Sequence, residues 1–467
     1  MRPGYHTITL GCKLNRFDTA ALEGELELRG LRHEPDVGRA AVVVVNTCTV
    51  TSRADADARK RIRSVRKLNP HCKLLVTGCY AERAPDTLRA LGGVDRVFGN
   101  SSKPAAARVF DELGVGARRA PQREAPVGDR GCDGAPLPEA LHFGDRARAF
   151  LKVQEGCRLV CSYCVIPAVR GPSRSVPPDR VLAAAGSLFA SGYREIVLTG
   201  VNVGDYGRDL SPQLGLADLL RRLLAGCGPN RIRLNSLEPR TVTEEIVELM
   251  ARDPRLAPHL QVPLQSGSDE ILRSMRRNYR AEDYAERLAR LRAAVPHAGL
   301  GADVIVGFPG ETDERFRESY DFIARSALTY LHVFPWSPRP GTPAADLPGR
   351  VGPAAVRERA AALRALGGDL SFGFRRRFVG RLLESVVLGA RSCDGRPRAL
   401  TGNFIEADLD PAGPEPGRLV PIRITAATRD RTKATVEGGD CGPGEPASRT
   451  TPRPAVRLAT GAGAGDR

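Results

Sequence analysis

Glu155-Gly156-Cys157-Arg158-Leu159-Val160-Cys161-Ser162-Tyr163-Cys164 places three cysteines in a C-x₃-C-x₂-C spacing. A 4Fe-4S cluster has four iron corners, each normally held by one cysteine. Three close cysteines hold three corners and leave the fourth iron open to a substrate or cofactor. A zinc site and three buried thiols are the plainer readings of the same residues. Zinc normally takes four ligands, and no second cysteine pair of knuckle spacing follows. The spacing therefore favours the open iron cluster.

Outward from this segment, strand and helix signals alternate from about Phe150 to Leu366. Strands are expected near 149–153, 195–198, 232–234, 260–262, 301–306 and 330–334, with helical stretches between them. Six βα units are too few for a closed eight-fold barrel and suit an open, partial one. Residues 6 to about 110 alternate in the same way. The run Ala41-Val42-Val43-Val44-Val45 has the continuous β-branched character of a strand buried on both faces of a parallel sheet. After a helix at 353–375, short strand signals near 381–388, 404–407 and 419–424 predict a small β-barrel. The predicted class is α/β. A parallel N-terminal domain spans 1–113 and a Gly/Pro/Arg-rich linker 114–142. The partial barrel spans 143–374, the β-barrel 375–440, and a tail of disordered composition 441–467.

The chain has 467 residues and a formal net charge of +16. That excess favours an anionic partner, nucleic acid above all, although a solvated arginine-rich surface produces the same number. Eleven cysteines dispersed over this length are not a disulfide framework and fit a reducing compartment. No apolar run approaches the roughly 18 residues of a membrane span. Neither a membrane nor a secretory signal is predicted, and a cytoplasmic protein is expected.

Three further cysteines share one topological position. Cys12 follows the first predicted strand, Cys48 the second and Cys79 the third. In a parallel sheet the loops after the strands converge at the carboxyl edge, where ligands bind. Three thiolates meeting there make a second three-cysteine site with a free iron corner. Taken singly, each is as well explained as a small buried residue in a turn. Cys72, Cys132, Cys227, Cys393 and Cys441 share no such position.

These features together resemble the radical S-adenosylmethionine (SAM) methylthiotransferases over about residues 5–440. The resemblance is carried by Gly11-Cys12-Lys13-Leu14-Asn15, Asn46-Thr47-Cys48-Thr49-Val50, Thr77-Gly78-Cys79-Tyr80 and the Cys157 trio. Pro263-Leu264-Gln265-Ser266-Gly267-Ser268, Asp303 to Thr312 and Ser337 to Ala345 complete it. Lys13, and the helix signature from Thr51 to Arg61, are similar to the branch acting on N6-threonylcarbamoyladenosine at position 37 of tRNA. The branch for isopentenyl-type adenosines usually shows Gln at the position of Lys13, and the ribosomal-protein branch Pro. The terminal barrel resembles a TRAM domain, an RNA-binding module. Gln261 departs from the family pattern, which tends to have His two residues before Pro263.

The resemblance implies two 4Fe-4S clusters, on Cys157/Cys161/Cys164 and on Cys12/Cys48/Cys79, and two SAM molecules per turnover. One SAM yields the 5′-deoxyadenosyl radical that takes hydrogen from C2 of adenine. The other donates the methyl group, and the N-terminal cluster supplies sulfur. The tRNA anticodon loop, an electron donor, a sulfur source and a monomeric enzyme are the expected partners and state. Candidate SAM contacts are Tyr163, Gly200, Asn202, Ser236, Glu238, Gln265 and Asp303, each of which has an equally good structural role when taken alone. Arg170 and Arg174 are candidates for substrate or the SAM carboxylate. Arg59, Lys60, Arg61, Arg63, Arg66 and Lys67 are candidates for tRNA phosphates, or else a solvated helix face, and Asn403 and Phe404 are candidates for a base, although Phe404 reads more readily as a core residue. The rival readings are the same chemistry on an isopentenyl-type adenosine or a ribosomal protein, and a nonenzymatic iron–sulfur or zinc RNA-binding protein.

Overall fold

In the computed structural model, residues 2–117, 137–138, 140–144, 146–409, 413–437 and 456–457 are described. The expected linker and tail, with Cys132 and Cys441, lie largely outside these residues.

The first sheet contains β1 (Gly4–Thr9), β2 (Arg32–His33), β3 (Val42–Thr47), β4 (Lys73–Gly78) and β5 (Arg96–Val97), in the order β2-β1-β3-β4-β5. All its pairings are parallel. Every residue of β3 is buried because the sheet is covered on both faces. Val43 and Val45 pack with Ala58, Ile62 and Val65 of the helix Ser52–Leu68. Val42 and Val44 point the other way, onto Leu22 and Leu26 of the helix Lys13–Leu28. The helix Ser52–Leu68 starts where the Thr51 hydroxyl accepts the Ala54 N–H at 3.1 Å.

Next in the chain come β6 (Ala140–Leu141), β7 (Ala149–Lys152), β8 (Gln154–Glu155) and β9 (Arg174–Ser175). They are followed by β10 (Glu195–Thr199), β11 (Arg231–Leu234), β12 (His259–Gln261), β13 (Gly299–Val306) and β14 (Tyr330–Pro335). Parallel ladders join β7, β10 and β11, and likewise β12, β13 and β14. Parallel bridges Ile232–Leu256 and Ser236–Gln261 connect the two halves. Six parallel strands thus lie side by side in sequence order, as the alternating pattern predicts, and no pairing joins β14 back to β7 among the described residues.

The last unit is a closed barrel of β15 (Leu382–Arg391), β16 (Pro397–Thr401), β17 (Glu406–Leu409), β18 (Leu419–Ala427) and β19 (Thr432–Val436). It caps the amino-terminal ends of the partial-barrel strands. Arg233 donates to the carbonyls of Gly402 and Thr401 at 2.8 and 3.0 Å, and Arg231 donates to Leu400. Both guanidinium groups are held by the buried Glu195 of β10. Phe404, at φ +70°, stacks on His259 with ring centroids 4.1 Å apart. Its ring is therefore engaged inside the molecule rather than offered to a base. Two residues of the segment expected to be disordered form β20 (Val456–Arg457), antiparallel to β6. No described helix is long and apolar enough to cross a membrane.

Candidate functional site

The three N-terminal cysteines follow β1, β3 and β4 at one edge of the first sheet. Two glycines bring their loops together. Gly11 has φ +97°, and a Cβ there would lie 2.7 Å from Cys48 Cβ and 2.9 Å from its Sγ. Gly78 has φ +102°, and a Cβ there would meet the Thr47 carbonyl oxygen at 2.3 Å. Both positions need glycine for conformation and for space. Asn15 clamps the first two loops, its Nδ2 donating to the carbonyls of Leu10 and Thr47 at 2.7 and 3.0 Å. The Thr47 hydroxyl donates to the Thr77 carbonyl at 2.6 Å, tying the second loop to the third. Cys12 is exposed, while Cys48 and Cys79 are buried. Burial, with Cys79 and Cys12 close by, pushes the Cys48 thiol up to about 11.

The Cys157–Cys164 loop leaves β8 at the carboxyl end of β7. Ser162 anchors it: its N–H donates to the Met275 carbonyl and its hydroxyl to the Ser274 carbonyl. Cys161 Sγ accepts from the Arg277 guanidinium at 3.1 Å, and Cys157 Sγ accepts the Leu159 N–H at 3.4 Å. Burial, with Cys161 and Cys157 nearby, pushes the Cys164 thiol up to about 12.

No described group of His, Cys, Asp or Glu closes around a single metal ion. Each trio is soft and partly sheltered, and no other described cysteine belongs to either loop set. Cys161 and Cys79 already accept weak N–H donors, as thiolates in such sites commonly do. The donor sets therefore fit iron–sulfur clusters.

The segments that carry the two trios pack together along a seam between the first sheet and the partial barrel, where the helix Cys79–Arg83 touches the helix Ile166–Arg170 that follows Cys164. Buried Arg170 donates to Glu155 at 2.6 Å, Asn15 at 2.6 Å and Asp18 at 3.1 Å. Arg170 is thus spent on the seam and is not free for substrate, whereas Arg174 is exposed. Lys103 and Lys152 also pair with Asp18, at 2.8 and 3.7 Å. Burial alone would raise the Asp18 pKa, but Lys103, Arg170 and Lys152 hold it well below the usual carboxylate range. Asn100 bridges directly, donating to Cys79 Sγ at 3.4 Å and to the Val169 carbonyl at 2.9 Å. On the far side, buried Arg339 donates to Thr49 and Asp55, next to Cys48. Lys13 extends from the turn after Cys12 into the partial barrel, donating to Asn235 Oδ1 at 2.7 Å. Burial and the cations Arg148 and Arg233 lower its pKa to about 8.

The candidate SAM contacts divide. Glu238 pairs with Arg277, the guanidinium that also reaches Cys161, so it lies beside the Cys157–Cys164 trio. Burial raises the Glu238 pKa. Asn202 is buried with its Oδ1 unpartnered, which leaves an acceptor for a ligand. Tyr163 is edge-on to Phe308 at 6.3 Å and packs in a small apolar cluster. Gly200 has a structural reason, since a Cβ there would lie 2.9 Å from Gln154 oxygens. Ser236 and Gln265 bridge to neighbouring strands, Gln265 at φ +68°. Asp303 Oδ1 accepts from Gln261 Nε2 at 2.8 Å, and Gln261 Oε1 accepts from the Tyr330 hydroxyl at 2.7 Å. Both ends of the Gln261 amide are therefore engaged.

Sequence reading missed Arg277, Lys103 and Asp55. Their partners lie 116, 85 and 284 residues away, and no spacing rule joins them. Asp18 had a signal: with Asn15 and Thr19 it forms a polar seam on the otherwise apolar buried face of its helix.

Family models match at two places: the Radical SAM superfamily over residues 151–323, and "Uncharacterized protein family UPF0004" over residues 4–99. The chain is 39% identical over 382 residues to the threonylcarbamoyladenosine tRNA methylthiotransferase MtaB of Bacillus subtilis, covering 81% of this chain and 83% of the relative. It is 36% identical to the MtaB of Thermotoga maritima, covering 80% and 84%. It is also 36% identical to the tRNA-2-methylthio-N(6)-dimethylallyladenosine synthase of Parafrankia, covering 90% and 83%. Among solved structures, the radical SAM methyltransferase TsrM of Kitasatospora setae matches with a TM-score of 0.52 at 18% identity over 74% of each chain, a likeness of fold.

Proposed function

The chain belongs to the radical-SAM methylthiotransferase family, and on that premise we propose that it adds a methylthio group to C2 of N6-threonylcarbamoyladenosine at position 37 of tRNA. What supports the reading most is the packing of the two trio-bearing segments along one seam, bridged by Asn100 between Cys79 and Val169, with Lys13 beside Cys12 reaching into the partial barrel. Members of the family are enzymes that use SAM and iron–sulfur chemistry. The proposal assigns one 4Fe-4S cluster to Cys157, Cys161 and Cys164 and a second to Cys12, Cys48 and Cys79. When bound, these groups and SAM supply the one-electron chemistry and the sulfur needed to replace an unactivated aromatic C–H by C–S.

The protein's own residues then hold, orient and shield. Arg277 donates to Cys161 and orients Glu238, placing a carboxylate for a ribose hydroxyl of SAM. Asn202 Oδ1 is an acceptor available to the SAM ammonium group. Tyr163, Gly200, Ser236, Gln265 and Asp303 form the surrounding wall of the SAM site. The buried Asp18–Arg170–Glu155 network ties the helix after Cys12 to the strand before Cys157. The division into residues 1–113, 143–374 and 375–440 follows these roles: sulfur insertion, SAM cleavage and RNA contact. A cytoplasmic monomer acting on the anticodon loop, with a separate electron donor and sulfur source, completes the proposal. Position 37 lies in a single-stranded loop, where a base is readily unstacked.

The test is mass spectrometry of tRNA nucleosides from cells with and without the protein. Loss of 2-methylthio-N6-threonylcarbamoyladenosine, with accumulation of its unthiolated precursor, is expected. Loss of a methylthiolated dimethylallyladenosine instead would assign the chain to the substrate of its Parafrankia relative.

A further inference from the structure

Lys13 occupies an unusual place. It follows Cys12 in the chain, yet its ammonium group lies in the partial barrel, hydrogen-bonded to an asparagine 222 residues away. Asn235 is a neutral partner. No described carboxylate lies within ion-pair distance of Lys13, whereas most buried cations in this molecule have one, Arg170, Arg231, Arg233 and Lys152 among them. The carboxylates nearest to Lys13 are committed elsewhere. Glu195 is shared by Arg231, Arg233 and Arg148, and Asp303 accepts from Gln261 and pairs with His332. Arg148 and Arg233 add positive charge around Lys13. A partly buried ammonium with spare donors, held by a neutral partner in a cationic surrounding, is arranged to receive an anion.

The chemistry of the proposed substrate supplies that anion. A threonylcarbamoyl group ends in the α-carboxylate of threonine. A dimethylallyl group carries no charge and no hydrogen-bonding atom. In adenine, C2 and the N6-bearing carbon flank the same ring nitrogen. A base whose C2 faces the Cys12 trio therefore presents its N6 substituent to residues adjoining that trio, and Lys13 adjoins it in sequence.

Resting on the substrate reading above, we infer that Lys13 is the specificity residue for the N6 substituent, its ammonium pairing with the threonyl carboxylate while Asn235 holds it in place. The pair takes an anion-bearing base and leaves Lys13 without a counter-charge opposite an apolar one, which rejects that substrate as well as recognising its own.

The test uses the reconstituted full-length protein and synthetic anticodon stem-loops bearing threonylcarbamoyladenosine, its carboxyl methyl ester, or dimethylallyladenosine. Wild type is expected to bind the acid roughly 10- to 100-fold more tightly than the ester, the range of a charge-assisted hydrogen bond. In K13Q and K13M, each checked for wild-type iron content, acid and ester should bind alike and as weakly as the ester binds wild type. Retention of the acid-over-ester preference in either variant overturns the assignment. So does a wild type that methylthiolates the threonylcarbamoyl loop yet binds acid and ester equally, and in that case the substrate reading survives. A wild type that accepts only the dimethylallyl loop removes the substrate reading and this inference with it.

Discussion

The two cysteine trios do the same job of presentation by opposite means. Cys157, Cys161 and Cys164 lie within one short loop, so their proximity is local and needs only the anchors at Ser162 and Arg277. Cys12, Cys48 and Cys79 come from three strands of a parallel sheet and are brought together by tertiary structure. Gly11 and Gly78 allow the loops to touch, and Asn15 and Thr47 pin them. A local trio survives much damage to the fold around it, whereas a dispersed one does not.

The largest expected effect tests whether the trios also differ in task. Changing Cys157, Cys161 and Cys164 to Ala should abolish both 5′-deoxyadenosine formation and methylthiolation, and remove about half of the roughly eight irons that two four-iron clusters hold. Changing Cys12, Cys48 and Cys79 to Ala should abolish methylthiolation yet leave reductive SAM cleavage measurable by chromatography. Methylthiolated product from the second variant would end the distinction. A single G78A should approach the effect of the N-terminal triple change on iron content, since its Cβ collides with backbone. A substitution at Ala168, exposed in the radical-type segment, should not.

A second effect concerns the seam itself. Asp18 is buried among Lys103, Arg170 and Lys152. Substitution D18N leaves those cations short of their counter-charge and should cost about 3–5 kcal/mol in denaturant unfolding, the range for breaking a buried pair. The sign of its pH dependence follows from the depressed native pKa. Asp18 contributes its full stabilisation above the unfolded value near 3.9 and loses it as pH falls toward the lower native value. Wild type should therefore lose stability below about pH 4 more steeply than D18N. Parallel acid limbs for the two proteins would show that Asp18 is not the linked group.

The same contrast explains what the sequence made legible. The local trio is visible as spacing, and the dispersed trio as a position repeated after three strands. The six-strand order and three of the five terminal-barrel strands follow from strand and helix periodicity, while β16 (Pro397–Thr401) and β19 (Thr432–Val436) are not read from it. Ends are displaced by one to three residues in most strands. For example, 301–306 is Gly299–Val306 in the structure. Side chains that act at long range were not legible. Arg170 reads in sequence as a free cation near a cluster loop, but it is consumed by Asp18 and Glu155. Phe404 reads as a core residue before a base-stacking one, and the structure packs it, on His259 of another unit, a partner the sequence does not name. In both cases the partner is fixed by how two units dock, which no local pattern encodes.

That docking also limits what deletion of the terminal barrel reports. Removing residues from 376 onward would strip backbone acceptors from Arg231 and Arg233 and the stacked ring from His259. The truncated chain should lose SAM cleavage as well as tRNA binding, with a lowered melting temperature. Retained cleavage at wild-type rate and stability would show that the cap is dispensable to the partial barrel. F404A is the milder form. It should cost about 3–5 kcal/mol of stability if the ring behaves as a packed aromatic, and should leave the salt dependence of tRNA binding unchanged.

The smallest effects separate the RNA-facing charges from structural ones within the N-terminal half. On the helix Ser52–Leu68, Arg59 donates to the Tyr80 hydroxyl at 2.7 Å, and Arg66 holds the Gly93 carbonyl and Asp95. Lys60, Arg61, Arg63 and Lys67 are exposed. They lie on the helix that follows the Cys48 loop, on its solvent side. Each phosphate contact removed should lower the slope of log affinity against log salt by about 1. Alanine at Lys60, Arg61, Arg63 and Lys67 should flatten that slope stepwise with little change in melting temperature. R66A should do the reverse, lowering the melting temperature and leaving the slope nearly unchanged, because its charge is already neutralised by Asp95. If R66A flattens the slope as much as the exposed set, the helix meets tRNA through a different face, and the division between structural and RNA-facing cations drawn from hydrogen bonding is wrong.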